Sequence, residues 1–302
     1  MKDLRFPNEQ IFAILEKYQL GKIQSIRYAS TGMVNPILFF DKKYVLKINV
    51  RDPDIPKLRR EAVVMKKLLE VKLPVPELLV LDEDKDVLPY DFIIMGFLEG
   101  KEIHANWKNI KPSLKEKLCF EGGVLLSKIH QIDFPKFGDL QNGIGEYDTW
   151  IEYIFCRLNR EMKSCFDAQL FSKMQLQQME NIFSEKKEIL ESVVEAKLVH
   201  ADFHLGNLLF QEKEISGILD FEWSLAGDPE WDLKDFFTFE GSSQPFMEGY
   251  QSQRTLSNFF NEKIDLYNLL GNLELTYVAD QHWGKESMEW FRKKVLKGIE
   301  KD

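Results

Sequence analysis

Apolar residues at the start of the chain recur at helical spacing. Ile11, Ile14, Leu15 and Tyr18 fall on one stripe, which predicts a helix over 7–20. The period then shortens. Residues 22–30, 36–40 and 43–50 read as three short strands, joined by the turns TGMVN and DK. Residues 57–71 are rich in strong helix formers and predict a helix that the prolines of LPVP bring to an end. Two further strands are expected at 77–82 and 91–98, on either side of the charged loop DEDKDVLPY.

After Gly100 the pattern turns helical. Helices are expected over 113–131, 148–166 and 169–192, and again from 245 onward. Between them the short apolar runs 196–200, 208–210 and 216–219 read as strands. The expected fold class is α+β: an amino-terminal lobe over 1–98 with a five-stranded antiparallel sheet and a helix, and a mainly helical carboxy-terminal lobe over 99–302. A cleft between the lobes is the natural place for a site.

Charge and composition narrow the functional classes. The net charge of −9 divides into +1 for residues 1–100 and −10 for residues 101–302. That argues against a nucleic-acid partner, because phosphate backbones require a positive surface. An acidic half suits a cationic small molecule; acidity that serves only solubility is the alternative. No run of eighteen apolar residues occurs and the first residues lack a signal-type apolar stretch, so neither membrane insertion nor export is expected. Cys119, Cys156 and Cys165 lack zinc-ligand spacing and read as reduced thiols of a cytoplasmic protein.

The densest chemistry lies in HADFHLGN, residues 200–207, followed by the strand LLF, the turn QEKE and the strand SGIL that ends in Asp220. Two carboxylates, Asp202 and Asp220, and one amide, Asn207, thus leave the ends of a small hairpin together. Phosphoryl transfer needs such a set: a carboxylate to orient the acceptor hydroxyl, and hard oxygen ligands for magnesium. The spacing His-x-Asp-x-x-x-x-Asn is that of a kinase catalytic loop. Upstream, Lys47 sits inside an apolar strand, where a charge requires a partner. Glu61, fourteen residues on, lies on the following helix as its candidate.

With HADFHLGN followed by ISGILDFEWSLAGDPEWDL, the chain resembles the aminoglycoside phosphotransferase family over roughly 25–235. The resemblance implies a two-lobed, protein-kinase-like fold and a kinase that uses ATP (GTP is an open alternative) and Mg2+. It makes Asp202 the catalytic base, and Asn207 and Asp220 the magnesium ligands. Lys47, paired with Glu61, would meet the α- and β-phosphates. Ser30, Thr31 and Gly32 occupy the place of the phosphate-covering loop, without its usual glycine pattern. Met95, Phe97 and Leu98 occupy the hinge beside adenine. Glu222 stands where protein kinases have a glycine, which argues against a protein kinase. His200 is expected to order the loop, and Asp228 and Asp232 to cap the helix that begins near Pro229. The acceptor is expected to be an aminoglycoside or similar antibiotic, bound by a monomer or weak homodimer. A macrolide, choline, homoserine or a sugar stays open, as do resistance or metabolism as the role. A non-catalytic nucleotide-binding protein on the same fold is the alternative from another class.

Overall fold

In the computed structural model, which describes residues 5–29, 35–236 and 243–301, the chain opens with α1 (Asn8–Lys17), β1 (Ile26–Tyr28), β2 (Ile37–Phe40) and β3 (Tyr44–Ile48). Then follow α2 (Lys57–Glu70), β4 (Leu78–Asp82) and β5 (Phe92–Gly96). The five strands form one sheet in the order β1-β2-β3-β5-β4, with every pairing antiparallel.

Period-two alternation decides what each face of that sheet covers. Leu46, Ile48, Phe92 and Ile94 pack with Ile11, Ile14 and Leu15 of α1. The opposite face, with Val45, Ile93 and Met95, packs with Leu58, Val64, Met65 and Leu68 of α2. Lys47 shares the register of Val45, so the strand delivers its ammonium to the α2 side. Beyond α2 the chain turns at Lys72, whose φ of 58° is left-handed, before the prolines that forbid another helical turn.

The helical part contains β6 (Lys101–Glu102), α3 (Ile103–Asn106), α4 (Pro112–Ile129), β7 (Asp133–Phe134), β8 (Gly138–Asp139) and α5 (Trp150–Asp167). It continues with α6 (Lys173–Glu185), α7 (Lys187–Glu191), β9 (Ala196–Val199), β10 (Leu208–Gln211), β11 (Glu214–Ile218) and β12 (Leu225–Gly227). The last helices are α8 (Leu233–Phe236), α9 (Ser243–Gln251), α10 (Phe260–His282) and α11 (Lys285–Lys301). Two small sheets, β11-β10-β6 and β7-β9-β12-β8, carry the loops between these helices. The predicted helix over 169–192 is two helices instead. A capping box between Ser172 and Gln175 starts the first, and Lys186, with φ −100°, ends it. α4 and α9 pack closely enough to require glycine. A Cβ on Gly123 would lie 2.1 Å from Phe246 O, and one on Gly249 would lie 2.0 Å from Phe120 O. Among the described residues no helix is long and apolar enough to cross a membrane.

Candidate active site

β9 enters the sheet between β7 and β12, and its last residue, Val199, leads directly into the loop that carries Asp202. That loop is held from beneath. The Asp232 carboxylate accepts the backbone N–H of His200 at 2.7 Å and of Ala201 at 2.6 Å, and it meets His130 Nε2 at 2.9 Å. Ala201 takes a left-handed φ of 64°, and Asp220 one of 67°. Non-glycine residues in this region cost energy and persist where surrounding contacts over-determine them. Ala201 directly precedes the candidate base, and Asp220 is itself a candidate metal ligand. Asp232 had been expected to cap a helix. Asp228 does the capping, accepting Glu230 N at 3.0 Å, while the 3-10 turn Pro229–Asp232 turns Asp232 inward.

Asn207 closes the loop onto itself. Its amide nitrogen donates to Asp202 O at 2.9 Å and to Asp202 Oδ2 at 3.0 Å. This holds the Asp202 carboxylate and leaves Asn207 Oδ1 outside both bonds. Leu219 N donates to Asn207 O at 2.9 Å, so the residue before Asp220 is tied to Asn207. His204 lies 3.5 Å from Asp202 Oδ1 through Nε2, and its Nδ1 accepts Gly206 N at 3.0 Å. His204 therefore belongs to the loop's hydrogen-bond network. His200 is fully buried, with Nε2 3.1 Å from Leu219 O and Nδ1 accepting Asp202 N at 3.3 Å. Burial pushes its pKa down against the pull of Asp232, Asp202 and Asp220, so it orders the loop as a neutral imidazole.

Lys47 meets Glu61 at 2.8 Å, as the sequence predicted, and Asp220 at 2.8 Å. A third carboxylate, Glu222, stands 2.9 Å away and was not expected there. Burial pushes the ammonium down, but Asp220, Glu61 and Glu222 together raise it well above the usual lysine value. Burial also lifts Glu61 to about 7, with Lys47 opposing and Asp220 and Glu222 adding to the rise. Asp220 is likewise desolvated, yet Lys47 holds its pKa below the ordinary value. Asn35 completes the cluster: its Nδ2 donates to Glu222 Oε2 at 3.3 Å. Three carboxylates about one lysine leave an excess of negative charge on hard oxygen donors. Glu61, Asp220 and Glu222 offer ligand atoms within 4.8 Å of one another. This donor set, with Asn207 Oδ1, fits a divalent cation of the magnesium type.

Met95 is buried in the core, and Phe97 and Leu98 are half-buried where β5 leaves the sheet. Gly96 N donates to Glu77 O at 2.8 Å and Phe97 N to Lys43 O at 2.9 Å, so the extended connection begins at Leu98. Ser30, Thr31 and Gly32 lie outside the described residues. Trp231 is buried and Trp223 exposed. Phe237 and Phe239, and the side chain of Phe236, lie outside the described residues.

The sheet, the helical part and the loop between them define a kinase-like fold of mixed α+β class. A sequence model of the phosphotransferase enzyme family matches residues 26–257, and the chain belongs to that family. Acyl-CoA dehydrogenase family member 11 of Gallus gallus is 26% identical over 264 residues, covering 80% of this chain and 32% of that protein. Acyl-CoA dehydrogenase family member 10 of Mus musculus is 25% identical over 253 residues, covering 80% of this chain and 23% of that one. The chain thus spans about a quarter to a third of the length of these relatives. A probable ketoamine kinase of Vibrio parahaemolyticus is 26% identical over 239 residues, covering 76% of this chain and 77% of that protein. Among solved structures, the streptomycin–ATP complex of APH(2")-IIa matches with a TM-score of 0.72 at 19% identity, over 97% of both chains. The complex of APH(4)-Ia with AMP-PNP and hygromycin B matches with a TM-score of 0.74 at 18% identity, over 97% of this chain and 98% of that one. These structures share the fold.

Proposed function

We propose that the protein transfers the γ-phosphate of ATP to a hydroxyl of a small molecule, with Asp202 as catalytic base. The observation that carries this reading is the bridge from Asn207 Nδ2 to Asp202 Oδ2, which orients one carboxylate oxygen and leaves the other for an acceptor hydroxyl. Asn207 and Asp220 would hold magnesium, which when bound offsets the charge of the β- and γ-phosphates. Lys47 contacts the α- and β-phosphates, kept in place by Glu61. Adenine lies against Met95, Phe97 and Leu98, and Ser30, Thr31 and Gly32 cover the phosphates. Residues 1–98 carry the nucleotide, and residues 99–302 carry the base and the acceptor site. Most of the acceleration comes from positioning and charge neutralisation. A cytoplasmic setting supplies both ATP and reduced thiols.

The names of the similar proteins do not converge on one acceptor. Structural neighbours hold streptomycin or hygromycin B, which supports the aminoglycoside reading through fold alone. One relative is called a ketoamine kinase, and others carry acyl-CoA dehydrogenase in their names. The test is ATP turnover in magnesium with a panel of aminoglycosides, amino alcohols, ketoamines and hydroxylated acyl compounds. Phosphorylation of one panel member, abolished by Asp202→Asn, supports the reading. ATP that neither binds nor turns over with any of them refutes it.

A further inference from the structure

We propose that the cavity between the start of α4 and the β6–β10 strand pair binds a small molecule carrying a carboxylate or phosphate on an apolar body. The site lies apart from the nucleotide cleft.

The cavity holds about 700 Å³, inside the range of about 300–1,000 Å³ that small-molecule sites occupy. Strand alternation fixes where it opens. Lys101 of β6 stands opposite Phe210 of β10, and Glu102 stands opposite Leu209. Directly opposed residues of an antiparallel pair share a face, and successive residues change face. Lys101 and Phe210 both line the cavity. Glu102 points the other way: its Oε1 lies 3.7 Å from where a Cβ on Gly206 would stand, in the loop of Asp202. The cavity therefore sits on the face of the strand pair turned away from the candidate base. Phe210 is three residues past Asn207, about 10 Å along an extended chain. None of the residues assigned above to nucleotide, magnesium or catalysis lines it.

The charge of the lining runs against that of its surroundings. Residues 101–302 carry −10, yet Lys101, Lys111, Lys117 and Lys213 line this cavity with Glu212 as the single carboxylate among them. Lys117 Nζ is 3.5 Å from Glu214 Oε1. Lys101, Lys111 and Lys213 form no ion pair among the described residues. Setting Glu212 against one of the three leaves two ammonium charges in excess. The excess survives a wider count: across 101–117 and 211–214 together, six lysines meet four glutamates, Glu102 included. α4, eighteen residues long, starts beside Lys111 without a side-chain cap, so the positive end of its dipole adds to the field there.

The walls beneath the lysines are apolar. Ile110 is buried, and Leu114 and Phe210 are half-buried. Lysine stems extend such a surface while their ammonium groups stay at its edge. A bare inorganic anion would use the charge and leave these walls in water. A ligand with an alkyl or aryl body uses both. Ammonium groups on flexible stems act as point charges and accept carboxylate and phosphate alike. A cationic ligand would meet unpaired ammonium groups instead.

The test is calorimetric titration of the full chain with octyl phosphate, octanoate, octanol, octylammonium and inorganic phosphate, each alkyl probe below its aggregation concentration. The expected result is one site for octyl phosphate or octanoate, with a Kd at least about tenfold below that of the other three probes. The tighter of the two names the anion. Replacing Lys101, Lys111 and Lys213 together by Gln should raise that Kd by about tenfold or more, and replacing all three by Arg should keep it within about threefold. A control with the same loss of charge replaces the exposed Lys66, Lys173 and Lys187 by Gln, and should shift the Kd less than about twofold. Thermal melts confirm that each variant is folded. The proposal is overturned if octanol or octylammonium binds as tightly as the anions, or if none of the probes binds at millimolar concentration. It also fails if the cavity variant and the control weaken binding equally, since the anion then binds elsewhere, the nucleotide cleft included.

Discussion

His130 Nε2 and Asp232 Oδ2 meet at 2.9 Å with both side chains shielded from solvent. Asp232 also accepts two backbone N–H groups of the Asp202 loop, and His130 Nδ1 lies 2.9 Å from the Tyr250 hydroxyl of α9. A chain of hydrogen bonds therefore runs from α9 through α4 to the backbone of the candidate catalytic loop. Burial works against ionisation of Asp232, yet the bond to His130 and the other donors bring its pKa below the ordinary carboxylate value. An ionised acceptor in a dry setting has few substitutes.

Asp232→Asn should accordingly destabilise the fold by about 3–5 kcal/mol, the range for breaking a buried charged network. The amide presents two donors where three N–H groups already point. Denaturant unfolding measures the loss. A change under about 1 kcal/mol would mean that the loop is held by other contacts.

Asp202→Asn should lower kcat by about 10²–10⁴-fold, the usual contribution of a positioned base, and leave the unfolding midpoint nearly unchanged. The structural reason is that Asn207 Nδ2 also donates to Asp202 O, a bond the substitution keeps. Activity within tenfold of the native protein would remove Asp202 from the reaction.

Asp220→Ala should weaken nucleotide binding in magnesium far more than binding without it. Lys47 retains Glu61 and Glu222, so the lysine stays in place when Asp220 is gone. Calorimetric titration with and without magnesium separates the two effects. Equal losses would place Asp220 outside the metal site.

What the sequence revealed depended on the range of each contact. Alternation within β3 put Lys47 on the face that α2 covers, and Glu61 lay only fourteen residues away. Asp202 and Asn207 are five residues apart, so spacing alone brought them together. Glu222 and Asn35 are separated by 187 residues, and His130 and Asp232 by 102; no local period marks such pairs. Glu222 had one usable signal. A buried lysine beside two carboxylates, with a third carboxylate two residues past Asp220, invites a test of whether all three converge. β6, β7, β8 and β12 span two or three residues each, too few for alternation to show.

The pH dependence of stability tests the neutral state of His200. Nδ1 accepts Asp202 N–H while Nε2 faces Leu219 O, so both bonds require the tautomer protonated on Nε2. Burial lowers the folded pKa below the unfolded value of about 6.5. A lowered pKa means that the folded state favours the neutral ring. Its contribution is complete above about pH 6.5 and is lost as pH falls toward the folded value. Protonation would also turn the acceptor of Asp202 N–H into a donor, loosening the base. Glu61 acts with the opposite sign: its raised value, about 7, means that acidification relieves an unfavourable buried charge. Asp232, with a lowered carboxylate pKa, adds a loss only below about pH 4. The slope for the native protein between pH 7 and 5 therefore mixes two effects, and a comparison isolates one. His200→Gln should melt at a lower temperature than the native protein at pH 7.5, with the gap narrowing as pH falls to 5. Thermal melts across that range decide the matter. A gap that stays constant would show that His200 does not titrate against folding.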